Sequence, residues 1–458
     1  MPSKLKSKSH KKGQRTVRDH HPNAAGIDVG GSSHYVAVPA DRDPNPVRNF
    51  GAFTEDLFAL ADWLSACRIT SVAMEATGVY WIPLFEILER RGFEVVLVNA
   101  RHVKNVPGRK SDVLDCQWLQ ELHSLGFLSA SFRPSDPIVA LRALMRQRKM
   151  LVEYAASHVQ HIQKALVQMN LQLQNVVSDV TGVTGMKIIR DILKGERDPK
   201  VLAAHRDYRC KSSIETIEKS LIGNWRDEHL FTLRQAVELN DFYERQIAEC
   251  DRTIDAYAAS LPAVVTPDQI PPSSKTRKKL ERNEPQFDAR SHAFQLVGVD
   301  LTQIDGIRGY TALHLIAEIG TDMSRWKTSG HFASWLALCP GTNITGGRRL
   351  SGRQPRKAHR AAALLRLAIL SIRNSPTALG AFFRRKRAQL GPARAVVAAA
   401  HKLACLIYTL IKHRRPFIEP GEAYYEQKNR AHALKSLERK ARALGFALTP
   451  TSLEGAVS

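Results

Sequence analysis

The sequence predicts an α/β N-terminal domain, then a long helical or coiled-coil arm, then a mainly α-helical C-terminal domain. Three observations carry this. Between residues 23 and 132, short apolar runs bounded by glycine and polar residues alternate with stretches of helical period. From 137 to 260 the helical period is nearly continuous, with Pro199 the sole proline beyond Pro137. From 291 to 418 it resumes in shorter lengths. A chain of 458 residues exceeds one ordinary core, so several domains are expected.

In the first region, Ala25 to Asp28 and His34 to Val38 read as two strands around a Gly30-Gly31-Ser32-Ser33 turn, and Val47 to Phe53 supplies a third. Thr54 to Cys67 reads as a helix with a Thr cap, acids Glu55 and Asp56 in its first turn, and Leu57, Leu60, Ala61 and Leu64 on one face. Strand 71–75, helix 80–91, strand 95–99 and a helix from about 111 to 125 follow. Three strands, then helix, strand, helix, strand, helix, is the order of an RNase H-like sheet. In the second region, Leu141, Leu144, Leu151, Ile162, Ala165 and Met169 keep helical spacing, and Ile214 to Ala259 behaves alike. We expect a helical hairpin or coiled-coil arm, with a Gly-containing connector at 182–195; an ordinary helical bundle fits the same pattern. Residues 261–290, with Pro262, Pro267, Pro271, Pro272 and a Lys-Thr-Arg-Lys-Lys run, read as a basic linker. Residues 1–22 read as a disordered basic arm and 419–458 as a basic tail whose role the sequence leaves open.

Composition narrows the partners. With 67 Lys and Arg against 44 Asp and Glu, the formal net charge is +23, which attracts polyanions, nucleic acid first among them. Six cysteines are scattered singly with no C-x-x-C pair, which argues against a zinc module or a disulfide framework and for a cytosolic chain. The N-terminal stretch lacks the apolar segment of a signal peptide, and no run of eighteen apolar residues occurs. No membrane partner is expected.

Four acidic residues carry the chemistry. Asp28 ends the first strand, Glu75 closes the fourth, and Asp112 and Asp115 lie three apart on the last helix of the α/β domain, on one face. An RNase H-like fold keeps its acids at these places. Carboxylates gathered from separate elements repel unless a cation sits among them, and hard oxygen ligands suit Mg²⁺ or another divalent cation. Two-metal nucleases use such a set to hold the attacking and leaving oxygens of a phosphodiester. Arg109 and Lys110 stand just before Asp112, suited to nearby phosphates.

Two downstream segments add to this. Ile304-Asp305-Gly306-Ile307-Arg308-Gly309 before an apolar helix has the pattern of a helix-hairpin-helix element, whose glycines let backbone N–H groups approach a phosphate; a plain packing turn fits equally. Further on, Thr345 and Ser351 stand in a glycine-containing loop among Arg348, Arg349, Arg353, Arg356, Lys357 and Arg360. A hydroxyl that attacks a phosphodiester needs open approach and cations to neutralise the transition state. A basic loop that only grips the backbone is the alternative, and on the residues alone the simpler reading. A further cluster, Arg384-Arg385-Lys386-Arg387, is suited to phosphates or forms a solvated face.

Taken in order, these landmarks resemble the DEDD-type transposases of bacterial insertion sequences, the RNA-guided (bridge RNA) recombinases, in their larger subgroup. The matching pieces are Gly26-Ile27-Asp28-Val29, Met74-Glu75-Ala76-Thr77-Gly78-Val79-Tyr80, Lys110-Ser111-Asp112-Val113-Leu114-Asp115, Ile304-Asp305-Gly306-Ile307, Leu336-Ala337-Leu338-Cys339-Pro340 and Ala400-His401-Lys402-Leu403-Ala404. The resemblance implies a RuvC-like domain with Asp28, Glu75, Asp112 and Asp115 as its metal-holding site, a coiled-coil arm for dimer or tetramer formation, and a C-terminal domain bearing a serine nucleophile. It also implies a composite site, a covalent link between that hydroxyl and DNA, a structured guide RNA that pairs with donor and target DNA, and a cytoplasmic, nucleoid-associated bacterial protein. Where the family has its serine, five residues after the proline of Leu-x-Pro, this chain has Thr345; Ser351 is the alternative. Two rival functions stay open: a RuvC-like metal-dependent junction nuclease, and a non-catalytic nucleic-acid-binding protein.

Overall fold

The computed structural model describes residues 20–99, 112–272, 283–341, 343–351 and 359–449, and for Asp112, Pro267, Asn343, Ile344 and 349–351 it describes the backbone alone. The chain divides into two units, Met1–Arg133 and Pro134–Ser458.

The first unit is a mixed five-stranded sheet with helices, compatible with the RNase H-like expectation. Its elements are β1 (Ala24–Val29), β2 (Ser33–Ala37), β3 (Val47–Gly51), α1 (Thr54–Ala66), β4 (Ser71–Glu75), α2 (Trp81–Arg90), β5 (Glu94–Val98) and α3 (Asp112–Ser124). The strand order is β3-β2-β1-β4-β5. β1 pairs antiparallel with β2 and parallel with β4, and β4 continues parallel to β5. All five residues of β4 are buried, as a central strand covered on both faces demands. α1 begins one residue earlier than its Thr suggests: Phe53 is the N-cap, and its backbone N–H donates to Asp56 Oδ2 at 3.2 Å.

Alternation assigns the two faces. Ala25, Ile27 and Val29 of β1 with Val72 and Met74 of β4 join Leu57, Leu60 and Leu64 of α1 and Leu84 and Leu88 of α2 in one apolar core. The opposite face carries Gly26 and Ala73, and there α3 lies directly on the sheet. A Cβ on Gly26 would stand 2.3 Å from both the Cys116 carbonyl oxygen and the Gln120 nitrogen. Both are helix backbone atoms that cannot swing aside. Gly26→Ala is therefore expected to lift α3 and destabilise the first unit by about 3 kcal/mol. A urea melt followed by tryptophan fluorescence reads this, and an unchanged midpoint would disprove the close contact.

The second unit is largely helical. Its elements are α4 (Asp136–Gln168), α5 (Leu173–Val176), α6 (Val183–Lys194), α7 (Pro199–Ala203), α8 (Ile214–Ser220), α9 (Asp227–Ser260), α10 (Ala289–Val297), α11 (Gly309–Ile319), α12 (Ser329–Trp335), β6 (Asn343–Thr345), β7 (Arg348–Ser351), α13 (Arg360–Ser371), α14 (Ala378–Leu390), α15 (Pro392–His413) and α16 (Gly421–Ala443). α4 and α9 form an antiparallel pair, because their partners run in opposite order. Tyr257 bonds Pro137, Cys250 bonds Leu144, and Tyr154 meets Tyr243. Arg148, 2% exposed, is held inside the pair by Asp251, by the Asn283 carbonyl at 3.2 Å and by the Tyr310 ring.

The segment between α4 and α9 is more than a connector. Ile188, Ile189 and Ile192 of α6 pack with Ile162 and Leu166 of α4 and Leu233 and Val237 of α9 in a closed helical cap. Of the glycines expected to break 182–195, Gly182 is the N-cap of a helix, Gly185 lies buried inside it, and Gly195, in the left-handed region at φ 108°, ends it. α15 is the one helix among the described residues long and apolar enough to cross a membrane, and half of its apolar window is buried inside this unit.

Candidate active site

α3 runs antiparallel to β1. At one end the backbone N–H groups of His20 and His21 donate to the Ser124 carbonyl, at 2.7 and 3.0 Å. In the middle Gly26 touches Cys116 and Gln120. The first turn of α3, with Asp112 and Asp115, therefore comes to the end of β1 that carries Asp28. The β1–β4 register pairs Ile27 with Met74, so the next residue of each strand sets Asp28 beside Glu75 on the face that α3 covers. The backbone positions of these sequence-distant acids thus come to one end of the two inner strands.

Glu75 is 7% exposed and accepts a 3.2 Å hydrogen bond from Thr77 Oγ1. The Cys116 thiol, one residue after Asp115, is pushed up to about 12, first by burial and then by the negative charge of Asp28, with a smaller push from Asp115. Both carboxylates act on the same sulfur, and that sulfur stays protonated at neutral pH. The anionic donors here are oxygens, a set that suits a hard divalent cation. Among the described residues no three His, Cys, Asp or Glu side chains form a ready metal cage. The side chain of Asp112 lies outside those described, as do Arg109 and Lys110.

The far end of α3 is pinned by a neutral histidine. His123 Nε2 lies 2.7 Å from Ser71 Oγ, its ring stacks on His21 with centroids 4.7 Å apart, and it is buried. Burial, then the neighbouring His21, lowers its pKa to about 4. A histidine with a depressed folded pKa leaves stability intact above about pH 6.5 and withdraws it as pH falls toward 4, by about 2 to 3 kcal/mol when complete. His123→Gln keeps a hydrogen-bonding group but cannot titrate. It should flatten that part of the pH profile of thermal unfolding between pH 6.5 and 4; an equally steep profile would show that His123 does not carry it.

The second candidate element is the β6–β7 hairpin. The sequence reads as a loop over 338–353, whereas residues 343–351 form a two-stranded ribbon with Thr345 opposite Arg348 and Asn343 opposite Ser351. Gly346 and Gly347, at φ 54° and 76°, form the two-residue turn, which needs positive φ at both positions. The dipeptide Gly346-Gly347 between Asn343-Ile344-Thr345 and Arg348-Arg349-Leu350-Ser351 is the signal that could have found it. Thr345 is exposed at the last position before the turn, and Arg348 across from it is exposed too. Ser351 and Arg349 are placed by backbone alone, Arg360 opens α13 on the surface, and Arg353, Arg356 and Lys357 lie outside the described residues.

The Gly306/Gly309 turn is closely packed. A Cβ on Gly306 would meet the Ala368 carbonyl oxygen at 2.5 Å, and one on Gly309 would meet the Arg290 nitrogen at 2.8 Å. Close contacts within the second unit leave no room for a side chain at either glycine.

Residues 25–171 match a DEDD-type IS110 family described as Transposase, and residues 300–382 match the Transposase IS116/IS110/IS902 family. No curated protein matches the chain.

Proposed function

The chain belongs to the IS110 family of DEDD transposases, and from that membership we propose that it recombines DNA through a covalent hydroxyl–phosphate intermediate guided by an element-encoded RNA. As a family member it is a DNA transposase, an enzyme that cleaves and joins DNA strands. The family also implies a divalent metal at the catalytic site. We assign that site to Asp28, Glu75, Asp112 and Asp115 in an RNase H-like, RuvC-type unit, with Mg²⁺ as the suited ion. When bound, such an ion neutralises charge on phosphate oxygens. The observation that supports the assignment is the antiparallel run of α3 over β1, which brings the first turn of α3 to the end of β1 that carries Asp28.

The nucleophile we assign is Thr345, with Ser351 as its rival. Its oxygen forms a bond to the scissile phosphorus while the bond from phosphorus to the neighbouring nucleotide's oxygen breaks; the hydroxyl proton passes to the departing oxygen. Rejoining reverses this, as a DNA hydroxyl displaces the protein oxygen and the proton returns. One phosphoester replaces another at each step, so no external energy source is required. Arg348, opposite Thr345, is suited to the phosphate charge. The α4–α9 pair we read as a coiled-coil arm for self-association, and the protein as acting on nucleoid DNA in the bacterial cytoplasm.

The test uses the full chain with DNA carrying the element's ends and RNA transcribed from its flank. Quenching in detergent should leave a protein–DNA adduct whose peptide maps to residues 343–351. Cleavage without an adduct would make the enzyme a hydrolase, as in the junction-nuclease alternative. Cleavage at the correct site without RNA would remove the guide.

A further inference from the structure

A groove of about 510 Å³ opens between α14, α15 and α16, beyond the part of the chain that the two families match save for Phe382 at its edge. Arg385 and Lys386 come from α14, Lys402 from α15, and Lys428 and Lys435 from α16. Among the described residues no Asp or Glu lines it. α16 has no buried residue, yet its first turn is fastened to α14: Arg384 pairs with Glu422 at 2.6 Å, and the Glu422 N–H donates to the Pro376 carbonyl at 3.2 Å. The fold thus holds a cationic helix against a second cationic surface, and like charges kept together cost free energy unless an anion comes between them.

The aromatic residues in the groove serve the cations. Lys402 Nζ lies 4.4 Å from the Phe382 ring centre and 5.1 Å from that of Tyr425, and the two rings meet edge to face at 6.2 Å. Lys386 also reaches the Phe382 ring, at 5.8 Å. Ring faces engaged by ammonium groups are poor platforms for bases, so the groove is built to read charge rather than sequence. Burial, and then the positive charge of Lys428, lowers the Lys402 pKa. Lys428 and Lys435 lie two helical turns apart, roughly 10 Å, or about three nucleotide steps of a strand.

We propose that this groove is a nucleic-acid-binding site separate from the catalytic residues, which grips the phosphodiester backbone of a strand without regard to sequence. The proposal rests on the transposase reading only in naming nucleic acid as the polyanion. DNA and RNA offer the same backbone chemistry, and the experiment separates them.

Binding of the full chain to a fluorescein-labelled single-stranded DNA, its duplex and an RNA of the same sequence is measured by anisotropy over a range of salt. Lys428→Gln/Lys435→Gln removes two exposed cations from the groove; Lys200→Gln/Lys211→Gln removes two exposed cations from the helical cap. The groove variant should bind at least one probe roughly tenfold more weakly, with a salt slope smaller by about 1.4 to 1.8, as expected for two lost phosphate contacts. Loss on RNA alone or on DNA alone names the strand that lies there, and loss on both names the shared backbone. If the groove variant matches the cap variant on all three probes, the proposal is wrong. Because the readout is binding, that failure would leave strand cleavage by the catalytic residues untouched.

Discussion

Asp28→Asn is expected to fold and to bind DNA like the parent chain, and to cleave DNA roughly 10³-fold more slowly or worse, the scale on which loss of a key charge-stabilising group acts. The substitution keeps shape and removes charge. Asp28 stands beside Glu75 at the end of β1, and its face of the sheet is already closed by the contact of Gly26 with α3. An isosteric amide there leaves the packing of the strand unchanged. What it removes is an anionic oxygen, which a hard cation needs far more than the fold does. A second readout keeps the test from resting on activity alone. A ligand that binds only the folded state raises its melting temperature, so added Mg²⁺ or Mn²⁺ should stabilise the parent and stabilise Asp28→Asn less. A variant that cleaves normally would remove Asp28 from the site. Equal stabilisation of both proteins by the cation would remove it from the metal.

Much of the first unit is legible in the amino-acid sequence because its signals are local. Glycines bound the strands, apolar residues alternate, and the acids fall at element ends, so the succession of elements, and where the four acids stand along it, follow from residue pattern alone. The role of Gly26 does not. It stands inside the Gly26-Ile27-Asp28 motif, but the helix backbone that excludes a Cβ there lies ninety residues on, and only tertiary packing brings the two together. The 182–195 segment misleads for the opposite reason. Its glycines suggest a break, while the buried face of Ile188, Ile189 and Ile192 outweighs them and carries a helix through Gly185 from Gly182 to Gly195. The groove at Lys402 is only half legible: the Arg384-to-Arg387 run and the basic tail stand out in sequence, but its cations come from three helices and no single stretch reveals their convergence.

Replacing Thr345 with Ala should abolish the protein–DNA adduct, whereas Ser351→Ala should preserve it. Thr345 is exposed on the last residue before a two-glycine turn, directly opposite Arg348, so a hydroxyl and a cation share one face of the ribbon. Ser351 pairs with Asn343 at the other end of the hairpin, away from that arginine. Loss of a nucleophile from a catalytic group that acts as a unit costs on the order of 10⁴-fold or more, far beyond the effect of a lost phosphate contact. Thr345→Ser supplies the sharper control. It keeps the hydroxyl and removes the β-branch that restricts χ1, so recombination should continue at the parental rate or faster. If Ser351→Ala is the dead variant and Thr345→Ala the live one, the nucleophile is Ser351 and the arginine that serves it is not Arg348. If both alanine variants still form the adduct, the attacking hydroxyl does not lie on this hairpin. A Thr345→Ser variant as inactive as Thr345→Ala would show that a hydroxyl at this position is not sufficient for the reaction.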